Sequence, residues 1–146
     1  MKSELLHDLW SSPDNSRLVS KQFSFRLPVH IAAKITALGE MYPQKNRTQI
    51  VADLLSTALN ELEKNLPYTF YEADPAVQES QAEAAYHLGF EFETQYVLGG
   101  GRAKFRVLSN KYYAEFEKEL GNESPIDLYD TYTGSKDYIK ETLDNE

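Results

Sequence analysis

Gln22, Ser24 and Arg26 stand at alternate positions of the run Lys21-Gln22-Phe23-Ser24-Phe25-Arg26-Leu27-Pro28. An amide, a hydroxyl and a guanidinium on one strand face are donors and acceptors that match base edges. Arginine bonds guanine bidentately, glutamine bonds adenine, and serine is short and permissive. Phe23, Phe25 and Leu27 fill the intervening positions and point the other way, because side chains alternate along a strand. The run therefore predicts a short strand with a polar face and an apolar face. Lys21, at its beginning, is better placed for a phosphate than for a base. A second polar group, Asn46, Arg47 and Thr48, falls where a helix is predicted to begin. First-turn N–H groups lack intrahelical acceptors and sit at the positive end of the helix dipole, which suits a phosphate. Such contacts position a ligand without reading sequence. Each feature also has a plain structural use, since half-buried strands show polar faces and every helix needs a cap.

The elements that hold these residues follow from local pattern. Pro28 ends the strand and suits the first turn of a helix, its φ being fixed near the helical value. That helix is predicted to reach Met41, with Ile31, Ile35 and Leu38 on one stripe beside Ala32, and Tyr42-Pro43 closes it. Asn46-Arg47-Thr48-Gln49 is a capping signature, asparagine at the cap and glutamine three residues on. The following helix carries Ile50, Leu54, Leu55, Ala58, Leu59 and Leu62 and stops before Pro67. A lone strand leaves its backbone groups unpaired beside an apolar face. Pairing two copies antiparallel across a twofold axis resolves both problems and predicts a shared core of Phe23, Phe25, Leu27, Ile35, Ile50 and Leu54.

This arrangement resembles the ribbon-helix-helix fold of the Arc and methionine repressors over residues 20–66. The resemblance rests on the outward Gln22, Ser24 and Arg26, the Leu27-Pro28 step, and Asn46-Arg47-Thr48-Gln49-Ile50. It implies that Gln22, Ser24 and Arg26 contact bases in the major groove. It also implies that the turn at Asn46, Arg47 and Thr48 clamps the DNA backbone.

Charge is divided unevenly along the 146 residues, whose net charge is −8. Residues 1–67 carry eight Lys/Arg and seven Asp/Glu, whereas 68–146 carry seven against sixteen. Within 20–50 five basic residues (Lys21, Arg26, Lys34, Lys45, Arg47) face Glu40 alone. Such asymmetry is expected of a nucleic-acid module with an acidic appendage. There is no cysteine, hence no disulfide framework and no thiolate metal site or nucleophile. The opening residues are too acidic for a signal peptide, and no apolar run reaches transmembrane length. A cytoplasmic protein with no membrane contact is the expectation.

The chain begins with an amphipathic arm, 1–19, in which Leu5, Leu6, Leu9 and Trp10 are expected to pack on the protein's own fold. Ser11-Ser12-Pro13-Asp14-Asn15-Ser16 forms a break. After the ribbon-helix-helix module at 20–67 comes an acidic module, 68–146. Residues 67–75 look like a linker or domain seam. Asp74-Pro75 caps a helix to Leu88, with Gly89 at its end, Glu79 and Glu83 on a solvated face, and His87 isolated. Phe90, Phe92, Thr94 and Tyr96, then Ala103, Phe105 and Val107, alternate with polar residues and predict a hairpin. Thr94 would lie opposite Phe105 and Glu93 opposite Arg106, around a tip at Leu98-Gly99-Gly100-Gly101. Those glycines read as a turn, because a strand is expected next and no lysine-serine/threonine phosphate signature follows. Ser109-Asn110 is predicted to cap a helix ending at Gly121-Asn122, and another helix starts from Ser135.

The predicted class is α+β: a ribbon-helix-helix dimerisation module followed by a small helix-hairpin-helix module. No catalytic motif is found, the histidines are far apart, and Glu115, Glu117 and Glu119 alternate too closely to share a helix face. No cofactor and no metal site is expected. The function predicted is a homodimeric, sequence-specific binder of double-stranded DNA, a bacterial-type transcriptional repressor without enzymatic activity. Its acidic module would bind an effector, another dimer or a protein partner. The alternative is a dimeric adaptor without DNA binding, including an antitoxin-like or pilus-associated role.

Overall fold

The computed structural model describes residues 6–10 and 17–146. Leu5 and the predicted break at 11–16 lie outside the described residues, as does the side chain of Leu9. The chain divides into two compact units, Met1–Asn65 and Leu66–Glu146.

In the first unit α1 (Leu6–Trp10) precedes α2 (Val29–Met41) and α3 (Arg47–Asn65). Pro28 stands at the cap of α2 in an extended conformation, φ −54° and ψ 147°, and its carbonyl accepts the first helical bond from Ala32 N–H at 3.0 Å. Tyr42 ends the helix, donating its N–H to Leu38 at 3.0 Å. Asn46 and Gln49 form a reciprocal capping box. Gln49 N–H reaches Asn46 Oδ1 at 2.8 Å, and Asn46 N–H reaches Gln49 Oε1 at 3.1 Å. Two orphan donors of α3 are satisfied in this way, as the motif predicts.

Leu6 and Trp10 are buried against Ile50, with Leu38, Tyr42 and Leu54 packed around them. Trp10 Nε1–H donates to Asp53 Oδ2 at 2.7 Å, and the Trp10 and Tyr42 rings meet edge to face at 5.2 Å. A buried indole needs an acceptor for its N–H, and Asp53 supplies it. The expected docking of the arm on its own fold is seen at Leu6 and Trp10. No residue of α2 is buried.

In the second unit β1 (Thr69–Glu72), α4 (Pro75–Leu88), β2 (Tyr96–Gly99), α5 (Gly100–Glu119), β3 (Thr133–Gly134) and α6 (Lys136–Asp144) follow in order. The strands make an antiparallel sheet ordered β1-β2-β3, Phe70 opposite Leu98 and Tyr96 opposite Gly134. Helix α4 matches its signals: Asp74 accepts from Ala76 N–H at 3.1 Å, and Gly89 closes it at φ 76°. Helix α6 is capped by the Ser135 hydroxyl, as expected.

Three expectations are corrected here. The stretch 67–75, expected as a linker or domain seam, follows directly on the boundary between the two units, but it is no linker, since it contains β1. The presumed hairpin at 90–107 does not exist: its first half lacks secondary structure before Tyr96, and its second half belongs to α5. Asn110 is no cap but an interior residue of α5, whose side chain exchanges two bonds with the backbone of Tyr129, at 3.0 and 2.9 Å. The second unit is therefore a three-stranded sheet with interleaved helices rather than a helix-hairpin-helix. His87 also has company, lying 3.8 Å from Glu83 one turn earlier.

The glycine run explains the change. Gly100 has φ 79°, and a Cβ there would lie 3.1 Å from both the Pro67 carbonyl oxygen and Tyr68 Cα. Helix α5 thus begins by pressing its backbone on the chain that leads into β1, where only glycine fits. Arg102 N–H donates to the Pro67 carbonyl at 3.0 Å, so a first-turn donor of α5 is already used within the fold.

Candidate nucleic-acid interface

Gln22, Ser24 and Arg26 are all exposed, within a segment, 22–28, that has no secondary structure in the single chain. The predicted strand is absent from one chain for a physical reason: a strand is defined by its ladder, and no described strand pairs with this segment. Phe25 is 75% exposed, and Phe23 and Leu27 are exposed as well. Lys21 places its ammonium 5.5 Å from the Phe23 ring centre, a contact of cation–π type. Val29, opening α2, is 88% exposed. Apolar and polar side chains of the predicted ribbon therefore stand side by side in solvent.

Of the remaining residues assigned to a shared core, Ile35 and Leu54 are half-buried, while Ile50 is fully enclosed inside one chain. Its cover includes Leu6 and Trp10, a contribution from the arm. Asp53, nearly two turns into α3, accepts the Trp10 indole N–H.

At the start of α3, Asn46, Arg47 and Thr48 are exposed, as a phosphate-contacting turn requires. Among the described residues the amides of Arg47 and Thr48 have no hydrogen-bond acceptor. Lys45, which the sequence marks only as one of the local basic residues, proves unusual. It is 4% exposed, and its buried Nζ has no hydrogen-bond partner. It lines an open cavity of about 450 Å³ together with Thr36, Gly39, Glu40, Asn46 and Arg47. No hydrophobic pattern could have flagged a lysine turned inward.

The second unit holds a polar cluster of a different kind. Arg102 and Arg106, one turn apart on α5, are both buried. Arg106 bonds the Glu146 carboxylate through both terminal nitrogens, and Arg102 lies 4.0 Å from the same group. Tyr132 donates its hydroxyl to Glu146 at 2.7 Å. That bond, followed by desolvation and the carboxylate's own charge, raises the Tyr132 pKa above the usual tyrosine value. The Arg106 guanidinium also stacks 4.8 Å from the Tyr129 ring centre. This cluster fastens the end of α6 to α5. Glu117 is buried on α5 and accepts from Asn122 at 3.1 Å.

Among the described residues no group of His, Asp and Glu could hold a metal ion, and no helix is long and apolar enough to cross a membrane. No family model matches the chain, and neither a curated protein nor a solved structure is significantly similar to it.

Proposed function

We propose that this chain is the subunit of a homodimeric, non-enzymatic DNA-binding protein, acting in the cytoplasm as a transcriptional regulator of bacterial type. The observation that carries this reading is the state of residues 22–28. An alternating apolar face is exposed immediately before a helix with no buried residue, and no described strand completes its ladder. A single unit of this size with so small a core is marginal on its own. Pairing the segment with a second copy buries the three apolar side chains and satisfies the backbone together. The same pairing turns Gln22, Ser24 and Arg26 outward on a two-stranded ribbon, which fits the major groove. The exposed Arg47 and Thr48 amides then meet phosphates on either side.

The test is selection of duplexes from a random pool by the purified protein, beside Arg26→Ala, at two salt concentrations. The reading expects a short, roughly palindromic site, strong salt dependence, and a loss of about 1–3 kcal/mol with relaxed base preference in the variant. No selected site from a folded dimer would replace it with the adaptor reading. One feature favours that second reading: Tyr86, Leu88 and Phe90, at and just past the end of α4, are each exposed on the acidic unit.

A further inference from the structure

We propose that the free edge of β1 pairs antiparallel with β1 of a second copy, joining the sheets of two second units into one. The interface lies in the second unit and does not depend on the ribbon at 22–28. It gives the acidic unit a definite partner, another copy of itself.

The sheet is ordered β1-β2-β3, so β1 has a ladder on one side only. Ala73 N–H donates to the Gln95 carbonyl at 2.9 Å, continuing the register that sets Glu72 opposite Tyr96. Hydrogen-bonded and non-hydrogen-bonded pairs alternate along an antiparallel ladder. Thr69 and Tyr71 therefore direct N–H and C=O at β2, while Phe70 and Glu72 direct theirs away from it. Among the described residues nothing meets those outward groups. An open edge of this kind is a template for a further strand. The Tyr71 ring lies back over Gly99, where a Cβ would run into it, and so leaves the edge clear. Pro67 and Pro75 have no N–H to give, which confines the pairing to the residues between them.

Charge selects a second copy as the occupant. On the face that carries Phe70 and Glu72, the ammoniums of Lys136 and Lys140 stand 5.9 and 5.8 Å from the Phe70 ring centre. Glu72, Lys136 and Lys140 are all exposed, and none has an ion pair among the described residues. A twofold axis at Tyr71 sets Phe70 of each copy opposite Glu72 of the other, as hydrogen-bonded pairs. Every outward N–H and C=O of the two residues is then used. Each Glu72 carboxylate comes beside the Phe70 ring of the other copy and within reach of the lysines above it, a favourable cross-strand pairing made on both sides of the axis. On the opposite face the two Tyr71 side chains, 61% exposed in one chain, meet across the axis.

The test uses the full chain, which has no cysteine, so Tyr71→Cys introduces a single thiol. Across the axis the two Cα atoms would stand about 4.5 Å apart, within the range a disulfide spans. In a glutathione redox buffer Tyr71→Cys should accumulate as a covalent dimer. Thr133→Cys, exposed on the same face but at the opposite edge of the sheet, should not. Adding Glu72→Lys to Tyr71→Cys should slow coupling about tenfold, and adding Lys140→Glu should slow it too, because like charges then face each other. An equal mixture of these two charge variants should recover fast coupling as the mixed dimer, where opposite charges meet on both sides of the axis. A role of either residue within its own chain would not produce that recovery. Ribbon pairing is common to all these proteins, so its presence or failure leaves the comparison intact. A folded Tyr71→Cys protein that stays uncoupled would overturn the proposal. So would equal coupling of Thr133→Cys, or a mixture no faster than its components.

Discussion

Phe25→Ala separates the dimer from the single chain by an energy gap too large to confuse. In one chain the ring is 75% exposed, so its removal touches almost nothing. Substitutions at such positions stay within about ±0.5 kcal/mol. In a paired ribbon the same ring lies in the shared core, where Phe→Ala costs about 3–5 kcal/mol for each copy. Two copies give roughly 6–10 kcal/mol per dimer, weakening association by about four orders of magnitude or more. The assay is sedimentation equilibrium joined to urea unfolding at two protein concentrations. The wild type should be dimeric, with a midpoint that rises with concentration, and Phe25→Ala should lose both properties. A monomeric wild type whose midpoint matches that of Phe25→Ala at every concentration would refute the shared core.

Two further predictions concern the second unit. Gly100→Ala must place a Cβ 3.1 Å from the Pro67 carbonyl oxygen at φ 79°, and should cost about 1–3 kcal/mol in urea unfolding. Gly89→Ala, with a similar φ of 76° but open space around it, should cost less; equal losses would mean that the close approach to β1 is unimportant. Tyr132, whose folded pKa is raised, contributes stability that is fully present below its ordinary value of 10.0 and fades as pH rises through the raised value. Tyr132→Phe should therefore reduce the fall in stability above about pH 10, and an unchanged slope would remove Glu146 from the account of that fall.

Helix starts and stops were readable because capping is local chemistry. Asn46 with Gln49, Asp74 with Pro75, Gly89 and Ser135 each act on backbone groups within a few residues, and all are found in place. The second half of helix α5 was read as a helix, but its first half was illegible because its inward stripe is polar. Arg102, Arg106, Asn110 and Glu117 recur at helical spacing and are buried or half-buried, while Ala103, Phe105 and Val107 advertise an alternation that the backbone does not use. A hydrophobic pattern cannot see a stripe made of arginine, asparagine and glutamate. Two-residue β3 and four-residue β1 are held by their neighbours rather than by their own composition. The same holds for Gln78, whose side-chain amide pairs with the backbone of Gln95 at 2.6 and 2.8 Å just before β2. At the candidate interface Gln22, Ser24 and Arg26 are exposed, but so are Phe23, Phe25 and Leu27, so the single chain does not display the two faces that the alternation predicts. The inward turn of Lys45 depends on the packing of α2 and α3, which no local pattern encodes.

The ribbon itself is open to one direct measurement, because the chain has no cysteine and a single introduced thiol reports alone. Antiparallel pairing centred on the outward triplet sets Ser24 of one copy opposite Ser24 of the other, with Cα atoms about 4.5–5.5 Å apart, inside the range a disulfide spans. Under mild oxidation Ser24→Cys should be captured quickly and completely as a covalent dimer, whereas Gln22→Cys and Arg26→Cys, offset from the twofold axis, should link slowly. A folded Ser24→Cys protein that stays uncoupled, or three variants that couple at one slow rate, would contradict the paired ribbon on which the DNA-binding reading stands.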